Sequence, residues 1–488
     1  MEKLLLLTFL VLSALNVQAQ CSELKRINSI KGSEMIIRTD YSRTYFVTYC
    51  KFNHNINKYF IVSYGNTHKY LDLMDGMENA SPLTNKYGYE IKDVQVVGQE
   101  CYFCGQKWVE TGNIIYHIDG TMEYERRYKG IVGRFDVRNV INNGGTYELL
   151  EIDTTYCLNR IAVFTGHALA TAILSDETTS CLVEIREATY QNNYVDCNYR
   201  VFRSTISDEY FMDVEALSNK FVSVSRYSNP SDTNSYKYMF GMRYGNGDQF
   251  YATNTGIYNY NVQNVLANEG ASFISMEPIK LAYTHQNNEV VVGYINRKLS
   301  NRQGFPIFYK ISSPGQTITK IILNLDNVQY SSIKDIQYNR PLYAKSQMAV
   351  LLEDVNGTSV MRFPDRVAIN TGPYPDTLLY SSTYKLQSLA AFQYTSGSFE
   401  VRSAGYEPNN NNKLIHLLTA DIHGNTHKWS NLSCISNKVW ASEPARISLT
   451  TSLTEEKLTQ VFFKAHTLFT PHEFTPHLVT QSTICYNY

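Results

Sequence analysis

Three aspartates stand at an interval of 60 residues, Asp93, Asp153 and Asp213, each entering a strand-like run with a turn signal behind it. Carboxylates repeated at one point of a repeating unit can converge on an axis and offer several oxygens to a cation or to sugar hydroxyls. The same residue type also caps turns and bonds nearby backbone through its short side chain. That structural role is the expectation for these three and for the related Asp335. Asp136, Glu151 and Asp213 are acids of the kind that flank a scissile glycosidic bond. Such a pair must be held a few ångströms apart, a spacing that sequence does not set.

Other chemistry is thinly represented. Six of the eleven histidines, His416, His423, His427, His466, His472 and His477, crowd the last quarter of the chain. A zinc or copper site needs three or four converging ligands with further groups orienting them. Gly424-Asn425 between His423 and His427 reads as a turn rather than a helix face, and no His-Glu-x-x-His is present. No metal and no cofactor is therefore expected. Gly-x-Ser-x-Gly, the phosphate-binding lysine loop and the dinucleotide-binding glycine fingerprint are all absent, so no catalytic residue is assigned.

Aromatic side chains are abundant, with 38 Tyr, 22 Phe and 3 Trp. Several tyrosines sit beside asparagines in expected loops. Tyr and Asn together combine rigid amphipathic area with adaptable hydrogen bonding, and Tyr also stacks on sugar rings. Tyr190, Asn193, Tyr194, Tyr258, Tyr260 and Tyr406 are the candidate ligand-binding residues. The alternative is that Tyr simply favours strands.

Nine cysteines follow an amino-terminal leader. Met1-Glu2-Lys3, the apolar 4–15 and Val17-Gln18-Ala19 have the form of a signal peptide over residues 1–19, with the mature chain, 20–488, expected as one domain. Export permits disulfides, and Cys181 with Cys197 is the expected internal pair; Cys21 with Cys485 would clasp the ends. Cys101 and Cys104 have the spacing of a redox motif, but on a strand side chains three apart point to opposite faces. No second apolar run is long enough to span a membrane. The formal net charge of -1, without clustered Lys or Arg, excludes a nucleic-acid footprint.

The elements that must position these residues are strands. Short alternating runs such as 45–49, 59–64, 182–185, 290–294 and 349–352 are separated by Asp119-Gly120, Asn143-Gly144-Gly145 and Asn356-Gly357 turns. Ile91-Lys92-Asp93-Val94-Gln95 returns as Ile333-Lys334-Asp335-Ile336-Gln337, and Gly65-Asn66-Thr67-His68-Lys69-Tyr70 returns as Gly424-Asn425-Thr426-His427-Lys428-Trp429. Both shifts are close to whole multiples of 60. Seven unit starts fall near Ile36, Asp93, Asp153, Asp213, Ser275, Asp335 and Ser388, with a remnant after Ala445. The stretch 452–463 reads equally as a capped helix or a closing strand.

One small antiparallel sheet is marginal alone; stacking such sheets radially buries both faces of each. In repeat length and strand count the chain resembles secreted bacterial seven-bladed β-propeller proteins. That resemblance implies an all-β fold of seven four-stranded blades, with eight as the alternative and a tandem of β-sandwiches as the competing fold. The Trp-Asp repeat ending, the kelch double glycine and the sialidase Asp box are missing. The expected function is that of an exported, non-enzymatic protein of the periplasm or cell surface, or one secreted, that binds a glycan or an envelope protein through loops at one end of the ring. A glycosidase or polysaccharide lyase acting at the axial channel mouth is the alternative, and a structural subunit of a surface assembly the third possibility.

Overall fold

A computed structural model describes residues 22–26, 35–41, 45–52, 58–64, 67–73 and 87–152, and from 156 to 482 the strands named below with the turn at 356–358. The described chain is nearly all β, and its strands pair antiparallel throughout. The first group is Met35–Tyr41, Tyr45–Phe52, Lys58–Tyr64 and Thr67–Asp72, each strand pairing with the next. The second is Tyr87–Val97, Glu100–Tyr116, Met122–Asp136 and Glu148–Ile152. The third is Tyr156–Phe164, His167–Leu174, Ser180–Glu187 and Cys197–Arg203. The fourth is Tyr210–Leu217, Lys220–Asn229, Asp232–Asn246 and Tyr258–Asn261.

Ser275–Thr284, Glu289–Arg297, Gly304–Ser312 and Ile318–Ile322 form the fifth. Tyr330–Asn339, Gln347–Asp354, Ser359–Arg362 and Leu378–Ser382 form the sixth, which meets the fifth through the pair Gly304 and Tyr330. Lys385–Gln393, Phe399–Tyr406, Ile415–Asp421 and Thr426–Asn431 form the seventh. The sequence count of seven units left a remnant after Ala445, and strands lie there as well. Val439–Thr451, Lys457–Thr467 and Thr470–Ser482 make an eighth group, completed by Ser22–Arg26 from the other end of the chain. A unit assembled from both termini has no continuous run of sequence to show a period. The stretch left open between helix and strand lies largely in Lys457–Thr467 and is strand.

The first strands of the groups contact one another in chain order, and Val439–Thr451 returns to Met35–Tyr41. Alternation along each strand then serves two interfaces at once. Cys101, Phe103 and Ile131 join Tyr49, Phe60 and Val62 of the first group. Their neighbours Tyr102, Cys104 and Val132 join Leu158, Ile161 and Val183 of the third. Ala162, Leu169 and Leu182 of the third in turn pack on Phe211, Val214 and Phe221 of the fourth. Cys101 and Cys104, each fully buried, thus occupy different layers as expected, and burial pushes both thiols well above the usual range. They are core residues.

Val137–Asn143, the helix among the described residues, was not anticipated. Asp136 caps it by accepting from the Asn139 amide at 2.7 Å, and Gly144 ends it at φ 84°. Val137 and Val140 complete the first interface. The expected Cys181–Cys197 disulfide is corrected by the strand register: Cys181 lies opposite Arg203, and Cys197 opposite Glu187. Six residues of offset on neighbouring strands amount to about 20 Å, against a Cα separation of roughly 7 Å at most for a disulfide. Cys21 and Cys485 lie outside the described residues.

Candidate functional site

A β-bulge recurs at one point of the first strand in every group but the first. It falls between Ile91 and Asp93, Leu158 and Arg160, Phe211 and Asp213, Pro278 and Lys280, Ile333 and Asp335, and Leu386 and Ser388. The eighth group carries one between Ala441 and Glu443. An extra residue at a bulge leaves part of the ladder unpaired and re-aims the next side chain. The residue after the bulge is thus a structurally equivalent position, occupied by Asp, Arg, Asp, Lys, Asp, Ser and Glu in turn. Arg160, not Asp153, holds that place in the third group. Asp153 lies outside the described residues.

Two of these acids reach the next first strand. Asp93 Oδ2 accepts the Ile161 amide at 3.0 Å, and Asp335 Oδ2 accepts the Leu389 amide at 2.8 Å. In both, the donor is the residue immediately after the neighbour's own bulge position. Asp40, on the unbulged first strand, makes the same kind of bond to Val96 at 2.6 Å. Each acid thereby supplies an acceptor to a backbone N–H that buried structure must satisfy. A second bond recurs on the other side of the bulge. Ser180 Oγ accepts the Phe211 amide at 2.8 Å, and Ser359 Oγ accepts the Leu386 amide at 2.9 Å. The structural role expected for the repeated aspartates is what Asp93 and Asp335 perform, and the two serines, unmarked by any motif, share it.

Between the second, third and fourth groups the inward side chains form one polar cluster. Arg160 lies between two carboxylates, with Nη1 3.8 Å from Asp93 Oδ1 and Nε 4.0 Å from Asp213 Oδ1. Gln95 Nε2 donates to Glu215 Oε1 at 3.2 Å, although the third group separates their strands in sequence. That contact brings together side chains from the first strands of the second and fourth groups. Asp213 also accepts the amide of Val214 at 3.0 Å, and Glu215 that of Ala216 at 3.1 Å.

Burial pushes the Glu215 carboxyl up to about 8; the Ala216 amide opposes this, and repulsion from Asp213, Asp40 and Asp93 adds to it. Burial also raises Asp93, opposed by Arg160. Asp213, followed by Asp93, raises Arg160 against desolvation. By area Asp93 keeps 23% and Asp213 31% of its side chain exposed, so both carboxylates are half-buried. With its carboxyl pushed up to about 8, Glu215 is mostly the neutral acid at neutral pH, set beside the Gln95 amide, the Arg160 guanidinium and the Asp93 and Asp213 carboxyls. The Gln95 Oε1 atom is buried without a hydrogen-bond partner.

Among the described residues no group of three or more His, Cys, Asp or Glu side chains is arranged to hold a metal ion. Glu151 is taken by Lys107 and by Lys129 at 3.6 Å, and Asp136 by the helix cap, so neither joins Asp213. Tyr190, Asn193 and Tyr194 lie outside the described residues. Tyr258 and Tyr260, expected in a loop, sit on a strand opposite Met242 and Phe240. Tyr406 likewise closes a strand, opposite Lys385 and Ile415. Tyr-Asn alternation satisfies strand propensity as readily as loop composition, which is why composition misplaced them. Glu215, Gln95 and Arg160 were missed; their signal was the recurring Ile-Lys-Asp echo, read for its aspartate alone.

No protein-family model matches the sequence. No curated protein matches it. Among solved structures, the chain is similar to the Dos1 propeller at 8% identity, covering 93% of each chain, with a TM-score of 0.44. It is similar to the polysaccharide lyase Uly1 at 8% identity, over 79% of this chain and 89% of that one, with a TM-score of 0.44. AofleA from Arthrobotrys oligospora is similar at 10% identity, over 72% of this chain and 86% of its own, with a TM-score of 0.31. At these scores the fold rests on the chain's own strand pairing.

Proposed function

We propose that the chain is an exported eight-bladed β-propeller that binds a glycan or an envelope protein through one end of the ring, without turning it over. One observation carries the non-enzymatic reading. Asp40, Asp93 and Asp335 are committed to backbone amides of the next blade, so the repeated carboxylates hold the ring together rather than stand ready for chemistry. An acid spent on a buried amide must first lose that bond to act on a substrate. The blade ends, where loops carry recognition on a rigid scaffold, are left as the binding surface. The mixed polar cluster about Glu215 supplies donors and acceptors suited to hydroxyls at the axis.

A second reading has its own support. Glu215, held protonated up to about pH 8, stands two residues from Asp213 on one strand face, and perturbed acids beside ionised ones mark acid–base sites. Under this reading the chain is a glycosidase or lyase with Glu215 as the proton donor. The two separate in a product-release assay on a polysaccharide panel, measuring new reducing ends and unsaturated termini. The binding reading predicts neither above a boiled control. Release that disappears in Glu215→Gln would replace it with the enzymatic one.

A further inference from the structure

Glu100–Tyr116 and Met122–Asp136 outrun the rest of their sheet. The first strand pairs with them only as far as Val109, and the fourth only from Gly130 onwards. Between those points 110–129 is a two-stranded arm that no third strand among the described residues joins. It is an ordered element. Asp119 accepts from the Thr121 amide at 3.0 Å in a turn where Gly120 takes φ 82°. Thr111 and Asn113 both donate to Glu125 Oε2 at 2.7 Å, and Arg126 stacks over Trp108 at 4.5 Å.

One face of the arm is apolar and exposed. Ile114 pairs with Tyr124 and Tyr116 with Met122, and residues opposite each other share a face. Tyr116 is 74% and Met122 66% exposed. Long open edges beside apolar side chains are normally blunted or covered. The outer edge at 122–129 shows by its charge order what covers it. It reads acid first, Glu123 and Glu125, then base, Arg127 and Lys129. An acid-first, base-last edge is complementary to itself when antiparallel, so a second copy of the same edge matches it; Glu123, Glu125 and Lys129, which meet His117, Thr111 with Asn113, and Glu151 in their own chain, would share their charges across the pair.

We propose that the arm joins two copies of this chain, edge 122–129 pairing antiparallel with itself about a two-fold axis at Arg126. This register sets Glu125 opposite Arg127, Glu123 opposite Lys129 and Tyr124 opposite Tyr128, each twice by symmetry. Arg126 meets its own copy, but its guanidinium is drawn aside onto Trp108. The apolar tip of one arm then lies along the aromatic base of the other. A lipid surface is disfavoured: over 107–129 four cations match four anions, and Asp119 stands at the apex.

Sedimentation velocity of the mature chain through the micromolar range tests this, with Glu123→Lys/Glu125→Lys and Arg127→Glu/Lys129→Glu as paired half-reversals. Circular dichroism and thermal unfolding confirm that both variants fold. The wild type is expected to dimerise, each variant alone to sediment as a monomer, and an equimolar mixture to recover dimers. A wild type that stays monomeric overturns the proposal, including one that instead sediments with phosphatidylglycerol vesicles. So does a variant that dimerises like the wild type, or a mixture that fails to recover.

Discussion

Removing the Asp335 carboxylate should weaken the ring at one defined seam. Its side chain is 1% exposed; Oδ1 accepts the Ile336 amide at 2.9 Å and Oδ2 the Leu389 amide at 2.8 Å, both in buried surroundings. Asp335→Ala strands two buried N–H groups. Leaving a buried donor unsatisfied costs about 1–3 kcal/mol each, so the variant should lose about 2–6 kcal/mol. Asp335→Asn keeps one carbonyl oxygen but turns an NH2 towards the second donor, and should lose about half as much. Ser359→Ala, which orphans the Leu386 amide across the same seam, should cost about 1 kcal/mol. Urea unfolding followed by circular dichroism gives midpoint and slope for each. The reasoning fails if Asp335→Ala unfolds within about 0.5 kcal/mol of the wild type, the range of substitutions at indifferent surface sites.

Glu215 should make stability fall with rising pH. Its folded value of about 8 stands above the ordinary 4.5, so between those values the native state binds the extra proton and each step upward favours unfolding. The loss of stability begins above about pH 4.5 and continues to grow through and beyond about pH 8 until the carboxyl is fully ionised; Glu215→Gln should flatten that part of a Tm-versus-pH series, and an unchanged slope would count against the assignment. Gly105 lies opposite the bulge at Ile91, and a Cβ there would come 2.0 Å from the Glu90 carbonyl oxygen. Backbone cannot yield as a side-chain tip does, so Gly105→Ala should cost about 1–3 kcal/mol in the same urea assay. Asp136→Ala removes the cap of the Val137–Asn143 helix and should cost about 1 kcal/mol by thermal unfolding.

Strand content was legible because period-two runs and Gly-Asn-Asp turns act locally. Tyr45, Tyr59, Leu182, Val290 and Ala349 all fall in the strands their runs suggested. The two long echoes were also genuine. Ile91–Gln95 and Ile333–Gln337 mark the bulge of two first strands, and Thr67–Asp72 and Thr426–Asn431 are both fourth strands. The even interval of 60 misled, because the true spacing of the bulge position swings with hairpin length. It is 67 residues from Asp93 to Arg160 and 53 from Arg160 to Asp213. An average kept the beat and moved the third unit's key residue to Asp153. The group after Ala445 showed in sequence only as a remnant, because its fourth strand is Ser22–Arg26, contributed from the opposite end of the chain. The polar cluster was illegible for another reason: Gln95 and Glu215 are 120 residues apart, and only the packing of the first strands against one another brings them together.

The most direct test of the central claim is a glycan-array screen of the purified mature chain, with every bound glycan then incubated with the protein and assayed for released product. Recognition without catalysis predicts that bound glycans are recovered intact; if none binds, a defined protein partner should be captured from envelope extract instead. Turnover of a bound glycan would contradict the account and move the function to the acids at the axis.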